Sequence, residues 1–130
     1  MHAREFSFNG EGRTSWAKKA EHPSALDYLL SALATDLLSG LVRESHRGGP
    51  AVREAELRLE AWLENPMIVA GIVNEAGSPR IKKIRGTLYL GTEGAESEVR
   101  AMWQRVFDSS PVHASLAPGV DVRINFKLIA

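Results

Sequence analysis

A long apolar segment, LLSALATDLLSGL at residues 29–41, constrains this chain more than any other feature of its sequence. Its leucines recur at three- and four-residue steps, which is the spacing of a helix with a continuous apolar stripe. Ser24 precedes it as a predicted N-cap, and Asp27 follows three residues later, close to a capping box. The pattern predicts a helix from about Ala25 to Glu44 that ends before HRGGP.

One acidic residue, Asp36, interrupts the apolar side of this helix. It shares a face with Leu29, Leu33 and Gly40 because these residues lie three or four positions apart. A carboxylate on a buried face needs partners or must take up a proton. Two interpretations stay open. Asp36 lies at the rim of the stripe and meets water or a basic side chain, or it belongs to a polar pocket at the helix centre.

The remaining segments predict an α+β domain that spans residues 1–130. Residues 54–63, 81–90 and 120–128 alternate apolar and polar side chains, as half-buried strands do. Asn9-Gly10 predicts a hairpin turn between two short strands at about residues 3–9 and 12–18.

A second helical stripe follows Thr92 and consists of Val99, Met102, Trp103, Val106 and Phe107. Residues 64–79 and 110–119 are each interpreted as a short helix or turn. The order of elements is β-β-α-β-β-α-β, which predicts an antiparallel sheet with helices on one face.

Composition excludes several classes of function. The 16 basic and 16 acidic residues cancel, and no block of like charge stands out, so neither nucleic acid nor a membrane surface is indicated as a partner. No run of about 18 apolar residues predicts a membrane span, and the N-terminus lacks the pattern of a secretion signal. We therefore expect a cytoplasmic protein.

The chain contains no cysteine. Disulfides, thiolate metal ligands and thiol catalysis are therefore excluded. Apart from Asp36, the candidate chemistry lies in residues 108–116, where Ser109, Ser110 and His113 cluster at a predicted helix end. No cofactor is indicated, and Asp36 with His113 would supply only two ligands, so no metal site is predicted.

Three segments resemble the OsmC/Ohr family of organic hydroperoxide reductases and their stress-response relatives. They are HPSALDYLLSALATDLLSGL, NPMIVAGIVNEAGSPRIKKIRGTLYL and SSPVHASLAPGVDVRINFKL. In that family one cysteine lies midway along the central helix and a second immediately precedes a Pro-Val pair. The resemblance places these two positions at Asp36 and Ser110.

The resemblance also implies a chemistry that this chain cannot perform. In the family, the first cysteine attacks the peroxide and the second resolves it as a disulfide, with a glutamate and an arginine holding the reactive thiolate. The glutamate position falls on Leu26, next to Asp27. Arg13 is a candidate for the arginine. Because a carboxylate and a hydroxyl replace the two thiols, the protein is predicted not to be a thiol peroxidase.

Proteins of this family form intertwined homodimers with pockets at the subunit boundary. Such a dimer would cover the apolar residues that the central helix carries on more than one side. We expect a scaffold that binds a small, partly apolar ligand in such a pocket. The predicted pocket residues are Asp27, Leu29, Leu33, Asp36, Met67, Ile68, Trp103 and Ser110.

Two other functions stay open. Asp36, Ser110 and His113 have the composition of a hydrolase-like catalytic set, although no nucleophile elbow surrounds Ser110. A third hypothesis is a dimeric module that binds another protein, and the sequence argues neither for nor against it.

Overall fold

A computed structural model describes residues 2–8, 14–17 and 25–129 and follows the predicted order of elements. The segments expected as helix or turn form two short helices, and the long helix runs two residues beyond its predicted end. The predicted Asn9-Gly10 turn, the Ser24 cap and Arg13 lie outside the described residues. The elements are β1 (His2–Phe8), β2 (Thr14–Ala17), α1 (Ala25–His46), β3 (Val52–Leu63), α2 (Pro66–Val69), β4 (Ile81–Thr92), α3 (Glu96–Asp108), α4 (Pro111–Leu116) and β5 (Asp121–Ile129).

The five strands form one sheet in the order β2-β1-β3-β4-β5. The pairs β1–β2, β1–β3 and β3–β4 are antiparallel, as predicted. The prediction is wrong for β5, which pairs parallel to β4 from Lys83 opposite Asp121 to Gly91 opposite Ile129. The physical reason is the connection: residues 93–120 pass through α3 and α4, and a crossover of that length returns the chain in its original direction.

The core lies between α1 and one face of the sheet. Alternate residues of β3 and β4 point into it, and the leucine stripe of α1 packs against them. Each fully buried leucine contributes roughly 1.5–3 kcal/mol relative to exposure. The residues from these three elements are Leu30, Leu33, Leu37, Leu38, Leu41, Ala55, Leu57, Leu59, Ala61, Ile84, Leu88 and Leu90.

The edge strand β5 is buried less than its alternation predicts. Val122, Ile124 and Phe126 are half-buried and pack against the core. Leu128 continues the same alternation but is 39% exposed. A strand with one neighbour leaves part of its apolar face without cover.

Helix α3 crosses α1 at a glycine. A Cβ atom at Gly40 would lie 2.7 Å from Cγ1 of Val106, so the two helices approach more closely than a larger residue allows. Gly40 is one turn after Asp36, and Val106 is one turn before Ser110. The close approach therefore places the C-terminal end of α3 beside the middle of α1, where Asp36 lies.

By length and composition, α1 could cross a membrane, since an 18-residue window has a mean hydropathy of 1.4. The core helix of a globular protein meets the same criterion. Here the leucine stripe is covered by the sheet, and 44% of that window is buried within the molecule.

An arginine–aspartate pair joins the first residue of β5 to β4. Nη2 of Arg85 donates to Oδ2 of Asp121 at 2.8 Å, and Nη1 donates to the Asp121 carbonyl at 2.6 Å. Nε of Arg123 donates to the other carboxylate oxygen at 3.2 Å. The Arg85 hydrogen bond is the largest cause of the lowered pKa of Asp121. Loss of hydration opposes it, and the charges of Arg123 and Arg85 lower the pKa further.

We predict that Arg85→Ala raises the pKa of Asp121 towards its ordinary value, as measured by NMR titration of the side-chain carboxyl carbon. Because the folded-state pKa is lowered, the pair stabilises the fold above the unfolded-state pKa, about 3.9 for aspartate. That contribution is lost as the pH falls through the lowered folded-state pKa. Arg100→Ala, on α3, serves as the control and should leave the Asp121 titration unchanged. An unchanged titration in Arg85→Ala would contradict this cause.

Candidate functional site

The candidate site lies where α1 meets the first turn of α4. Asp36 is half-buried on α1, and Ser110 is 3% exposed as the N-cap of α4. The sequence favours a helix start here because serine is a preferred N-cap and proline fits the first helical position. Ser110 is extended (φ −74°, ψ 118°), as residues before proline prefer to be.

A chain of hydrogen bonds joins the two side chains. The Ser110 hydroxyl donates to Oδ2 of Asp36 at 2.5 Å, and the Val112 N–H donates to the same oxygen at 3.1 Å. The His113 N–H donates to Oγ of Ser110 at 3.1 Å. Asp36 and Ser110 together thus satisfy two N–H groups that an isolated helix terminus leaves without partners. A carboxylate is also favoured there by the helix dipole.

The two interpretations of Asp36 can now be compared with its surroundings. Among the described residues, no Lys, Arg or His side chain pairs with its carboxylate. The partners of Oδ2 are a hydroxyl and a backbone N–H. Within residues 25–129, Oδ1 accepts no hydrogen bond. Among the described residues, the carboxylate is therefore fixed through Oδ2 alone.

The His113 ring does not join this pair. Its Nδ1 lies 3.0 Å from the Phe107 carbonyl oxygen, and the ring stacks on Phe107 with a centroid distance of 3.8 Å. The Ser110 hydroxyl donates its hydrogen bond directly to the Asp36 carboxylate. The described residues therefore do not form a serine–histidine–aspartate relay, in which the imidazole stands between the other two.

The other predicted pocket residues are divided between core and surface. Leu33, Trp103 and Asp27 are buried, whereas Leu29 and Ile68 are half-buried. Met67, on α2, is 51% exposed. No hydrogen bond or ring contact described for residues 25–129 connects α2 with α1. The grouping of these side chains around Asp36 therefore stays a prediction.

Sequence reasoning missed two contributors to this region. The backbone N–H of Val112 binds Asp36, and the Ser-Pro helix start was the available signal for it. The second is a group of basic residues from Arg80 to Arg85, which line an open groove with His113. The available signal was the segment RIKKIR at residues 80–85, in which four of six residues are basic. Within the described part of the chain, no group of three or more His, Asp or Glu residues could hold a metal ion.

No family model and no curated protein matches the chain. Solved structures do match. An OsmC-like protein from Mycoplasma pneumoniae has a TM-score of 0.69 at 15% identity, and the alignment covers 97% of this chain and 96% of that one. A hypothetical protein from Aquifex aeolicus gives 0.67 at 10% identity, with 97% and 94% covered. The organic hydroperoxide resistance protein OhrB of Bacillus subtilis gives 0.52 at 13% identity, with 98% of both chains covered.

These matches establish the fold. The chain has the OsmC/Ohr-like fold, and it contains no cysteine. The two positions that the sequence resemblance assigns to cysteines are occupied by Asp36 and Ser110, and their side chains are in direct contact.

We predict that Asp36→Ala and Ser110→Ala each lower the free energy of unfolding by about 1–2 kcal/mol, because each removes a capping hydrogen bond. Asp36→Asn should lower the free energy of unfolding less than Asp36→Ala does, since the amide oxygen can still accept the hydrogen bond from the Val112 N–H. The double variant Asp36→Ala/Ser110→Ala should cost less than the sum of the two, with a coupling of roughly 1 kcal/mol in urea denaturation.

The neighbouring Ser109 provides a matched control. It is exposed and its hydroxyl donates to the Arg105 carbonyl. Ser109→Ala should change the free energy of unfolding by less than about 0.5 kcal/mol. Strict additivity of the Asp36 and Ser110 variants would show that their hydrogen bond contributes nothing to the fold.

Proposed function

We propose that this protein is a cytoplasmic homodimer that binds a small, partly apolar molecule at the boundary between subunits. Asp36 would act as the polar anchor of that site. The observation that carries the proposal is the half-buried Asp36 carboxylate, held through Oδ2 while Oδ1 has no hydrogen-bond partner among the described residues. Such an oxygen suits a ligand that offers an N–H or O–H group.

The absence of cysteine argues for binding over redox chemistry. A thiol peroxidase cycle needs a sulfur that is oxidised to a sulfenic acid and then resolved as a disulfide. A carboxylate and a hydroxyl undergo neither step.

The outward face of α1 supports the dimer. This face is built from small or apolar side chains, and Asp36 lies at its edge. The residues at half-buried or exposed positions are Ala25, Tyr28, Leu29, Ala32, Thr35, Asp36 and Ser39. A helix that is apolar on most sides is normally covered on most sides, and alanines allow a second helix to approach closely. A second copy of this chain is the partner that the fold resemblance suggests.

A second apolar surface lies in and after α2. Met67, Val69, Ile72 and Val73 are 51%, 66%, 52% and 80% exposed. Exposed apolar side chains that adjoin one another are typical of interaction surfaces. A partner subunit that covered this segment would add apolar surface to the proposed site.

The hydrolase-like alternative has weaker support. His113 would have to leave both its Nδ1 contact with the Phe107 carbonyl and its stacking on the Phe107 ring to reach Ser110. A protein-binding module would use the same exposed face of α1, so the oligomeric state of the pure protein distinguishes it from the homodimer.

We predict that Ala32→Glu weakens dimerisation by at least about tenfold, because it would bury an unpaired charge at the interface. Ala101→Glu is the matched control, since it places the same substitution at an exposed position of α3. Sedimentation velocity across a concentration series measures both. A monomeric wild type, or equal dissociation of both variants, would contradict the homodimer.

We also predict that native mass spectrometry of the purified wild type detects the dimer with a retained small molecule. Asp36→Ala should lose that molecule while remaining dimeric, because the anchor is removed and the α1 face is intact. Asp108→Ala removes an exposed aspartate at the end of α3 and should retain it. Equal retention by Asp36→Ala and wild type would show that Asp36 is not the anchor.

A further inference from the structure

A groove of about 720 Å³ lies at one corner of the sheet, between the start of β4 and the chain that links α4 to β5. Arg80, Lys82, Lys83 and Arg85 line it from β4 and the residue before that strand. His113 contributes from α4. The groove adjoins the Asp36–Ser110 contact through His113, whose backbone N–H donates to Ser110. Neither Asp36 nor Ser110 lines the groove, and its binding of a ligand does not depend on the proposed function.

The groove carries a local excess of positive charge in a chain whose 16 basic and 16 acidic residues cancel. Its lining includes one carboxylate, Asp121, against four Lys or Arg side chains, which leaves a net charge of +3 before His113 is counted. That single acid is already paired with Arg85 at 2.8 Å. The other three cations have no acid within the groove lining.

Two of the cations are held in place. Arg85 is fixed by hydrogen bonds to the Asp121 carboxylate and to the carbonyls of Asp121 and Ile84. Nζ of Lys83 lies 4.9 Å from the centroid of the Trp62 ring, within cation–π range. Because these side chains are already ordered, an anion that binds them loses less conformational entropy.

The remaining cations are available to a ligand. Lys82 is exposed and has no ion pair among the described residues. Within the described part of the chain, the one ion pair of Arg80 is a long contact with Glu64, 3.9 Å between exposed side chains, which contributes little. The Phe107 carbonyl contacts Nδ1 of His113 and the Phe107 ring covers one face of the imidazole, while Nε2 has no hydrogen-bond partner among the described residues.

We propose that this groove binds a small anion that carries phosphate groups and at least two negative charges. Arginine forks and lysine ammonium groups both bind phosphate oxygens well, and together they favour a multiply charged ligand over a single carboxylate. The volume falls within the range of about 300–1,000 Å³ that is typical of small-molecule sites. A long nucleic acid is disfavoured because the cations occupy one corner of a chain with no net charge.

Isothermal titration with inorganic pyrophosphate at low salt tests the proposal. The wild type should bind pyrophosphate at one site per chain. Lys82→Ala should raise the dissociation constant about fivefold, because one close charge interaction is lost. Lys82→Glu should raise the dissociation constant further, because it replaces a cation by an anion. Lys127→Ala is the matched control, an exposed lysine of β5 outside the groove, and it should stay within about twofold of the wild type.

Amide chemical-shift changes on adding pyrophosphate should be confined to residues 80–85, 113 and 117–122. Four results would overturn the proposal: no binding at millimolar pyrophosphate, equal weakening by Lys82→Ala and Lys127→Ala, citrate binding as tightly as pyrophosphate, or a single-stranded oligonucleotide binding more tightly through Lys82. Substitution of an exposed lysine should leave the fold intact, so a loss of binding in Lys82→Ala reports on the groove itself.

Discussion

The burial of one leucine-rich side of α1 against the sheet is the constraint on which the rest of this structure depends. With Leu33, Leu37 and Leu41 inaccessible to solvent, the rotation of the helix about its own axis is fixed. That rotation decides which residues face α3 and α4. Gly40 then allows α3 to approach α1 closely, so that Ser110, which follows the C-terminal end of α3, lies within hydrogen-bond distance of Asp36. A helix turned by one residue would place Asp36 elsewhere and leave the first turn of α4 without its acceptor.

The Asp36–Ser110 contact joins the two positions that the sequence resemblance assigns to cysteines. An aspartate in an apolar helix is costly unless its oxygens are hydrogen-bonded. Here the helix start that follows α3 supplies the donors, since Ser110 and Val112 both bind Oδ2. The pair therefore joins α1 to α4 by a reversible, non-covalent contact. A hydroxyl and a carboxylate in this arrangement stabilise the junction between the two helices.

Charge and apolar surface are distributed unequally over the described part of the molecule. The outward face of α1 and the segment after α2 expose apolar side chains, whereas the corner at the start of β4 concentrates cations around Arg85. The short helix α4 separates these regions, with Ser110 bound to Asp36 at its first turn and His113 lining the basic groove. These surfaces suit different partners: apolar area favours a subunit or an apolar ligand, and the cationic corner favours an anion.

The sequence by itself determined the helices, the strands and the absence of thiol chemistry. The alternation of apolar and polar residues predicted β3 and β4 as half-buried strands, because burial of alternate side chains is a local pattern. The absence of cysteine is read directly from the sequence. Only the tertiary structure decided that β5 runs parallel to β4, that His113 turns to Phe107, and that Arg80, Lys82 and His113 share one groove. The strand direction and the groove depend on contacts between residues tens of positions apart, whose direction no local spacing encodes. The His113 ring is oriented by contacts with Phe107, six positions earlier, that form only once the turn between α3 and α4 has its three-dimensional shape.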